Sequence, residues 1–140
     1  MDNTKKHSKK SLKAPFEKFL GMEIIKAQAG SSLVKLSFRN NFTNPHASLH
    51  GGAIVSLADT ASAVALSGYN NTDNFFTTKF NIEFKKQAKT DIFAQAEVVS
   101  KKKHFYFIDI NISDTSKEVI AKAKAVFFAP PASNNAKGHC

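Results

Sequence analysis

The chain keeps a two-residue rhythm over most of its length, and one stretch breaks it by being small or apolar at nearly every position. Val34, Leu36 and Phe38 alternate with Lys35 and Ser37, which predicts a half-buried strand. Glu23 to Ala27 is expected to pair with it across Gly30. Further on, Phe76, Thr78, Phe80, Ile82 and Phe84 fall on one period, and Ala94, Ala96 and Val98 on the next. Two more runs follow, Tyr106 to Ile112 and Ala121 to Phe127. The polar breaks between these runs are too short for crossover helices, so the predicted sheet is antiparallel.

The exception runs from Gly52 to about Ser67, and a helix of that character has to be enclosed by protein on every side. Gly68 is expected to end it, followed by a polar loop over Asn70 to Asn74. Ala14 to Leu20, with Pro15 near its start and Gly21 as its stop, predicts one short helical turn. Asn41 to Leu49 has no period and contains Asn44-Pro45, so it reads as a loop delivering the chain to His50. The predicted class is α+β, one long central helix wrapped by a curved antiparallel sheet. A single domain is expected over 14–129, with a disordered basic tail at 1–13 and a flexible tail at 130–140.

Composition changes this picture little. Thirteen Phe and no Trp leave the core to Phe, Ile, Val, Leu and Ala. The formal charge of +9 does raise the question of an anionic partner. Part of it sits on Lys5, Lys6, Lys9, Lys10 and Lys13, in a polar stretch that cannot bury enough surface to order itself. That arm reads as a solvated extension, without the apolar core of a secretory signal. The run Ala53 to Leu66 is interrupted by Ser56, Asp59, Thr60 and Ser62 and is short for a bilayer. Neither membrane insertion nor nucleic-acid binding is expected, since the Phe residues fall on the inward strand period. The one cysteine, Cys140, permits no intramolecular disulfide, which fits a reducing cytoplasm. His7, His46, His104 and His139 lack carboxylate or cysteine partners at ligand spacing, so no metal site is assigned.

Candidate chemistry gathers on the apolar helix. Asp59 is its one charged residue, and burying an unpaired carboxylate costs several kcal/mol, comparable with the stability of a whole domain. That makes it a candidate acid, base or nucleophile. The bland reading puts Asp59 on an outer stripe with Ser56, Thr60 and Ser62. His50-Gly51-Gly52 immediately precedes the helix and leaves backbone amides open at the positive end of its dipole. An acyl oxygen would be polarised there, while a carboxylate of the same or a neighbouring helix supplies the attack.

The segment from Asn44 to Ala61, NPHASLHGGAIVSLADTA, together with Phe80-Asn81-Ile82-Glu83-Phe84, resembles the hotdog-fold acyl-CoA thioesterases of the phenylacetate-pathway branch. The resemblance runs from about Pro15 to Phe128. It implies that the Gly51 amide polarises the thioester carbonyl and that Asp59 is the nucleophile or the base for water. It further implies that Asn44 and His50 support the thioester and the loop, with Gly52 beside the substrate and Thr77 holding the attacking water. Family members place the site across a subunit interface, so a homodimer or homotetramer is implied. CoA would be part of the substrate, and no separate cofactor is called for.

Where relatives carry Gly-Arg before the fifth strand, this chain reads Lys101-Lys102-Lys103-His104. Lys102, Lys103 and His104 are the candidates for the CoA phosphates, without the bidentate fork of arginine; a plain solvated hairpin is the competing reading. Ala88 and Thr90 replace the Pro and Gly common between the third and fourth strands. The alternative function is a non-catalytic acyl-CoA-binding hotdog module, which would have no use for a buried carboxylate at the thioester. A hotdog dehydratase would place its histidine and acid differently.

Overall fold

The computed structural model describes residues 12, 14–70 and 74–131. The expected basic tail at 1–13, apart from Leu12, and most of 130–140 lie outside the described residues, as does the centre of the loop at 70–74. Helix α1 is Pro15–Leu20, where Pro15 presets the first turn and Gly21 closes it in the left-handed region at φ 68°. Then come β1 (Glu23–Gln28), β2 (Ser31–Leu36), a 3₁₀ turn (Asn40–Phe42) and the long helix α2 (Gly51–Asn70). Strands β3 (Phe76–Phe84), β4 (Ile92–Lys102), β5 (Phe105–Asp114) and β6 (Val119–Phe128) complete the order.

The six strands form one sheet in the order β1-β2-β4-β5-β6-β3, with antiparallel neighbours throughout. Helix α2 lies mainly against β2, β4 and β5. Leu57, Ala58, Ala61, Ala65 and Leu66 are fully buried there, facing Val34, Ile92, Ala94, Ile110 and other inward strand residues of the same core. Small residues on the helix let it sit close to the sheet. Its mean hydropathy of 1.2 over Gly51–Tyr69 reflects this setting, in which 56% of the stretch is buried.

Three expectations need correction. Gly68 does not end α2, which continues to Asn70. A Cβ at Gly68 would stand 3.1 Å from the Gln28 carbonyl oxygen, so the glycine lets the helix pass close to the end of β1. Nor is the helix enclosed on every side within one chain. Gly52 is exposed, and Val55, Ser56, Asp59 and Ala63 are only half-buried; these lie at helical spacing and form one stripe. A single sheet covers the opposite face and leaves this one open. Finally, the alternation expected along β3 shifts its phase. Thr77 pairs with Phe127 but Lys79 with Val126, so Thr78 is an extra, bulged residue. The bulge puts Thr77 on the same side as Phe80, although three residues separate them.

Candidate active site

The entrance to α2 is built by a stapled loop. Asn44 Oδ1 accepts hydrogen bonds from the amides of His46 at 2.8 Å and Ser48 at 3.2 Å, and from the Ser48 hydroxyl at 3.2 Å. Backbone bonds from Leu49 to Ala88 and from His50 to Phe42, both 2.8 Å, fix where the loop ends. The first four amides of a helix have no partner within it, and here three of them find one. The Gly52 amide donates to His50 Nδ1 at 2.8 Å, which leaves the proton of a neutral imidazole on Nε2. Ala53 and Ile54 donate to the His50 carbonyl at 2.9 and 3.2 Å. Among the described residues the Gly51 N–H meets no acceptor, and it stands at the positive end of the helix dipole.

A Cβ at position 52 would stand 3.0 Å from His50 Nδ1, a tight contact from which the imidazole would have to shift. At Gly51 the nearest atom to a Cβ is the tip of the Phe84 ring at 3.5 Å, an ordinary contact that only a larger side chain would overrun.

Asp59 lies eight residues further along α2. The Thr77 hydroxyl donates to its Oδ1 at 2.7 Å, a contact that the β3 bulge makes possible. Burial pushes the Asp59 carboxyl above the usual carboxylate range, and the Thr77 hydrogen bond only partly opposes this. The two residues line a cavity of about 340 Å³ together with Phe16 and Glu17 of α1, Ser56 of α2 and Phe80 of β3. A second cavity, of about 370 Å³, runs from His50 and Gly52 to the 3₁₀ turn and meets the first at Phe16 and Ser56. One groove under α1 therefore joins the helix entrance to Asp59. Its Asp59 end holds a hydroxyl donor and a carboxylate without a cation, which equips it for proton abstraction or nucleophilic attack.

A larger hollow of about 690 Å³ lies against β3, β5 and β6. Its carboxylates are neutralised, Glu83 by Lys85 at 2.9 Å and Asp109 by Lys124 at 3.1 Å, so it offers no comparable chemistry. The structure thus brings Asp59 to Thr77, and it brings Asn44, His50, Gly51 and Gly52 to the helix entrance. It does not bring the basic hairpin to either cavity. Lys102, Lys103 and His104 lie exposed between β4 and β5, and His104 packs edge-on to Phe128. Among the described residues no three His, Cys, Asp or Glu side chains cluster as metal ligands. The sequence reading passed over Glu17. Its only signal was an acid between Phe16 and Phe19 in a short helix, which does not reveal that the helix roofs the Asp59 cavity.

Known proteins share this architecture. The PaaI protein of the phenylacetic acid degradation operon of E. coli matches with a TM-score of 0.78 and 25% identity, over 86% of this chain and 88% of its own. A thioesterase of Staphylococcus aureus, in a mutant form, matches with a TM-score of 0.78 and 21% identity, over 84% of this chain and 100% of its own. A protein of Saccharolobus solfataricus with a provisional esterase name is 30% identical over 106 residues, 75% of this chain and 71% of its own. The fold is that of the hotdog thioesterase superfamily, and the thioesterase and esterase names of these relatives support a hydrolase of that kind. Within it, the chain belongs to the family described as Domain of unknown function (DUF4442), which matches residues 7–128.

Proposed function

We propose that the protein hydrolyses an acyl-CoA thioester to the free acid and CoA. The observation that carries this reading is Asp59, a carboxylate in a cavity that no cation lines among the described residues, held by the Thr77 hydroxyl at 2.7 Å. In this reading water is the attacking group. Its proton passes to Asp59, its oxygen joins the carbonyl carbon, the C–S bond breaks, and the proton returns to the departing thiolate. The Gly51 N–H is the donor for the carbonyl oxygen as negative charge develops on it. Lys101, Lys102 and Lys103, exposed and outside both cavities, are the proposed contacts for the phosphates at the far end of the CoA moiety.

The site belongs to two subunits in this proposal. Eight residues of helix separate Gly51 from Asp59 by about 12 Å, whereas the carbonyl oxygen has to lie within roughly 3 Å of the amide and a single water has to bridge the carbonyl carbon to the carboxylate. The amide and the carboxylate that act together therefore come from different chains. Two features support this. The helix stripe through Val55, Ser56, Asp59 and Ala63 is uncovered, and β3 ends the sheet with Phe76 and Phe84 exposed. A second copy paired along β3 would cover both.

The direct test is a panel of acyl-CoAs of different length and polarity, with released thiol followed over time. Turnover of at least one of them, well above spontaneous hydrolysis, is expected. Binding without thiol release across the whole panel would rule hydrolysis out.

A further inference from the structure

Glu17 is a residue of α1 that the proposed reaction does not yet use. It stands three residues after the N-cap Ala14, and one carboxyl oxygen accepts the Ala14 amide, as a glutamate at that position commonly does. Capping needs only one oxygen. The other, Oε1, is buried and has no hydrogen-bond partner among the described residues. Such an atom is costly in a folded protein unless it serves something. Glu17 lines the same cavity as Asp59, and across that cavity the two carboxyls interact.

We propose that Glu17 is the second carboxyl of the active site, a positioning residue that acts through Asp59 because the two share one cavity that no cation lines among the described residues. The inference rests on the thioester-hydrolase reading for its purpose, but not for its geometry. The cavity is lined by α1 with the preceding Ala14, α2 and β3, and among the described residues its ionisable side chains are Glu17 and Asp59. Lys18 and Lys79, on α1 and β3, are exposed and do not line it, and His50 belongs to the adjoining cavity.

Two carboxylates that share one partly buried cavity do not both ionise freely, and their surroundings decide which keeps the proton. Each carboxyl has one donor, the Thr77 hydroxyl for Asp59 and the Ala14 amide for Glu17, but a glutamate starts from a higher ordinary value than an aspartate, and Glu17 keeps a second, buried oxygen with no partner among the described residues. Burial holds the Glu17 carboxyl above its usual range, the Ala14 amide opposes this, and the Asp59 charge adds to it. As pH falls, Glu17 therefore takes its proton before Asp59. Over the intervening pH range the cavity holds one negative charge, placed on the group that accepts the proton of water. Above that range a second charge faces the oxyanion formed during attack.

Coupled carboxyls titrate in two macroscopic steps. The pH profile of kcat/KM for a turned-over acyl-CoA should show two inflections in the wild type, and Glu17→Gln should lose the upper one while keeping the lower. Glutamine retains an oxygen for the Ala14 amide, so a purely capping role would leave the profile unchanged. A second measurement needs no activity. Carbon-13 NMR titration of the side-chain carboxyls should show the Glu17 midpoint moving down towards the ordinary range in Asp59→Asn. A Glu17 midpoint that stays where it is in that variant, or an E17Q profile that overlays the wild type, would overturn the pairing. If no acyl-CoA is hydrolysed at all, the thioesterase reading fails, and the NMR titration still decides whether the pair exists.

Discussion

Asp59 is unusual because its environment gives it little help in carrying charge. One hydroxyl donates to it, no cation among the described residues lines its cavity, and burial raises its proton affinity. Asparagine keeps the volume but can neither attack nor accept a proton, so Asp59→Asn should lower kcat by at least about 100-fold, the usual scale for a lost general base. Its stability should change in the opposite sense. A carboxyl whose folded-state pKa is raised adds stability below the ordinary carboxylate range, and that contribution is lost as pH rises through the raised value. Asp59→Asn should therefore melt higher than wild type at neutral and alkaline pH, with the gap closing on acidification. A gap that widens in acid, measured by circular dichroism, would contradict the assigned direction. Thr77→Ala removes the group that favours the charged form. It should move the acidic limb of the activity profile to higher pH and reduce activity less than Asp59→Asn does.

At the scale of elements, much could be read in advance from spacing alone. The alternation in β2 through β6 and the apolar run of α2 follow from burying one strand face and most of one helix, and both patterns are local. What escaped was decided by contacts between elements. The bulge at Thr78 is silent in the sequence, because Phe76, Thr78 and Phe80 continue an apparently regular alternation across it. Gly68 looks like a stop signal until the Gln28 carbonyl is seen against it. Glu17 becomes part of the Asp59 cavity only when α1 folds over α2. The His50-Gly51-Gly52 turn was legible as an amide-rich helix start, but the imidazole's part in it was not. His50→Ala removes the acceptor of the Gly52 amide, and thermal or urea unfolding should show a loss of about 1 kcal/mol, the typical worth of an N-cap. No loss would mean that water replaces the imidazole fully. On the β4–β5 hairpin, replacing Lys101, Lys102 and Lys103 together with Ser should raise KM for an acyl-CoA more than for an uncharged thioester analogue. The difference should shrink with added salt as screening shortens the reach of those charges. Equal changes for both substrates would remove the phosphate contact.

Taken as a whole molecule, one chain presents an unfinished surface: an open helix stripe, a terminal strand with exposed Phe76 and Phe84, and two reactive groups too far apart on one helix to meet at one carbonyl. A symmetric pair of chains would resolve all three, and subunit sharing can be tested by complementation. Asp59→Asn removes the carboxylate. Gly51→Val places a branched side chain against the Phe84 ring at the open amide. Each variant should be inactive alone. In an equal mixture, refolded together, half of the dimers contain one chain of each kind. Each mixed dimer then has one site with an intact Gly51 from one chain and an intact Asp59 from the other, while its second site carries both defects. Random assortment of a closed dimer should therefore restore about a quarter of wild-type activity per site. If the amide and the carboxylate of a site came from the same chain, every site in the mixture would carry one defect. Mixed dimers confirmed by mass but without recovered activity would therefore defeat the shared site.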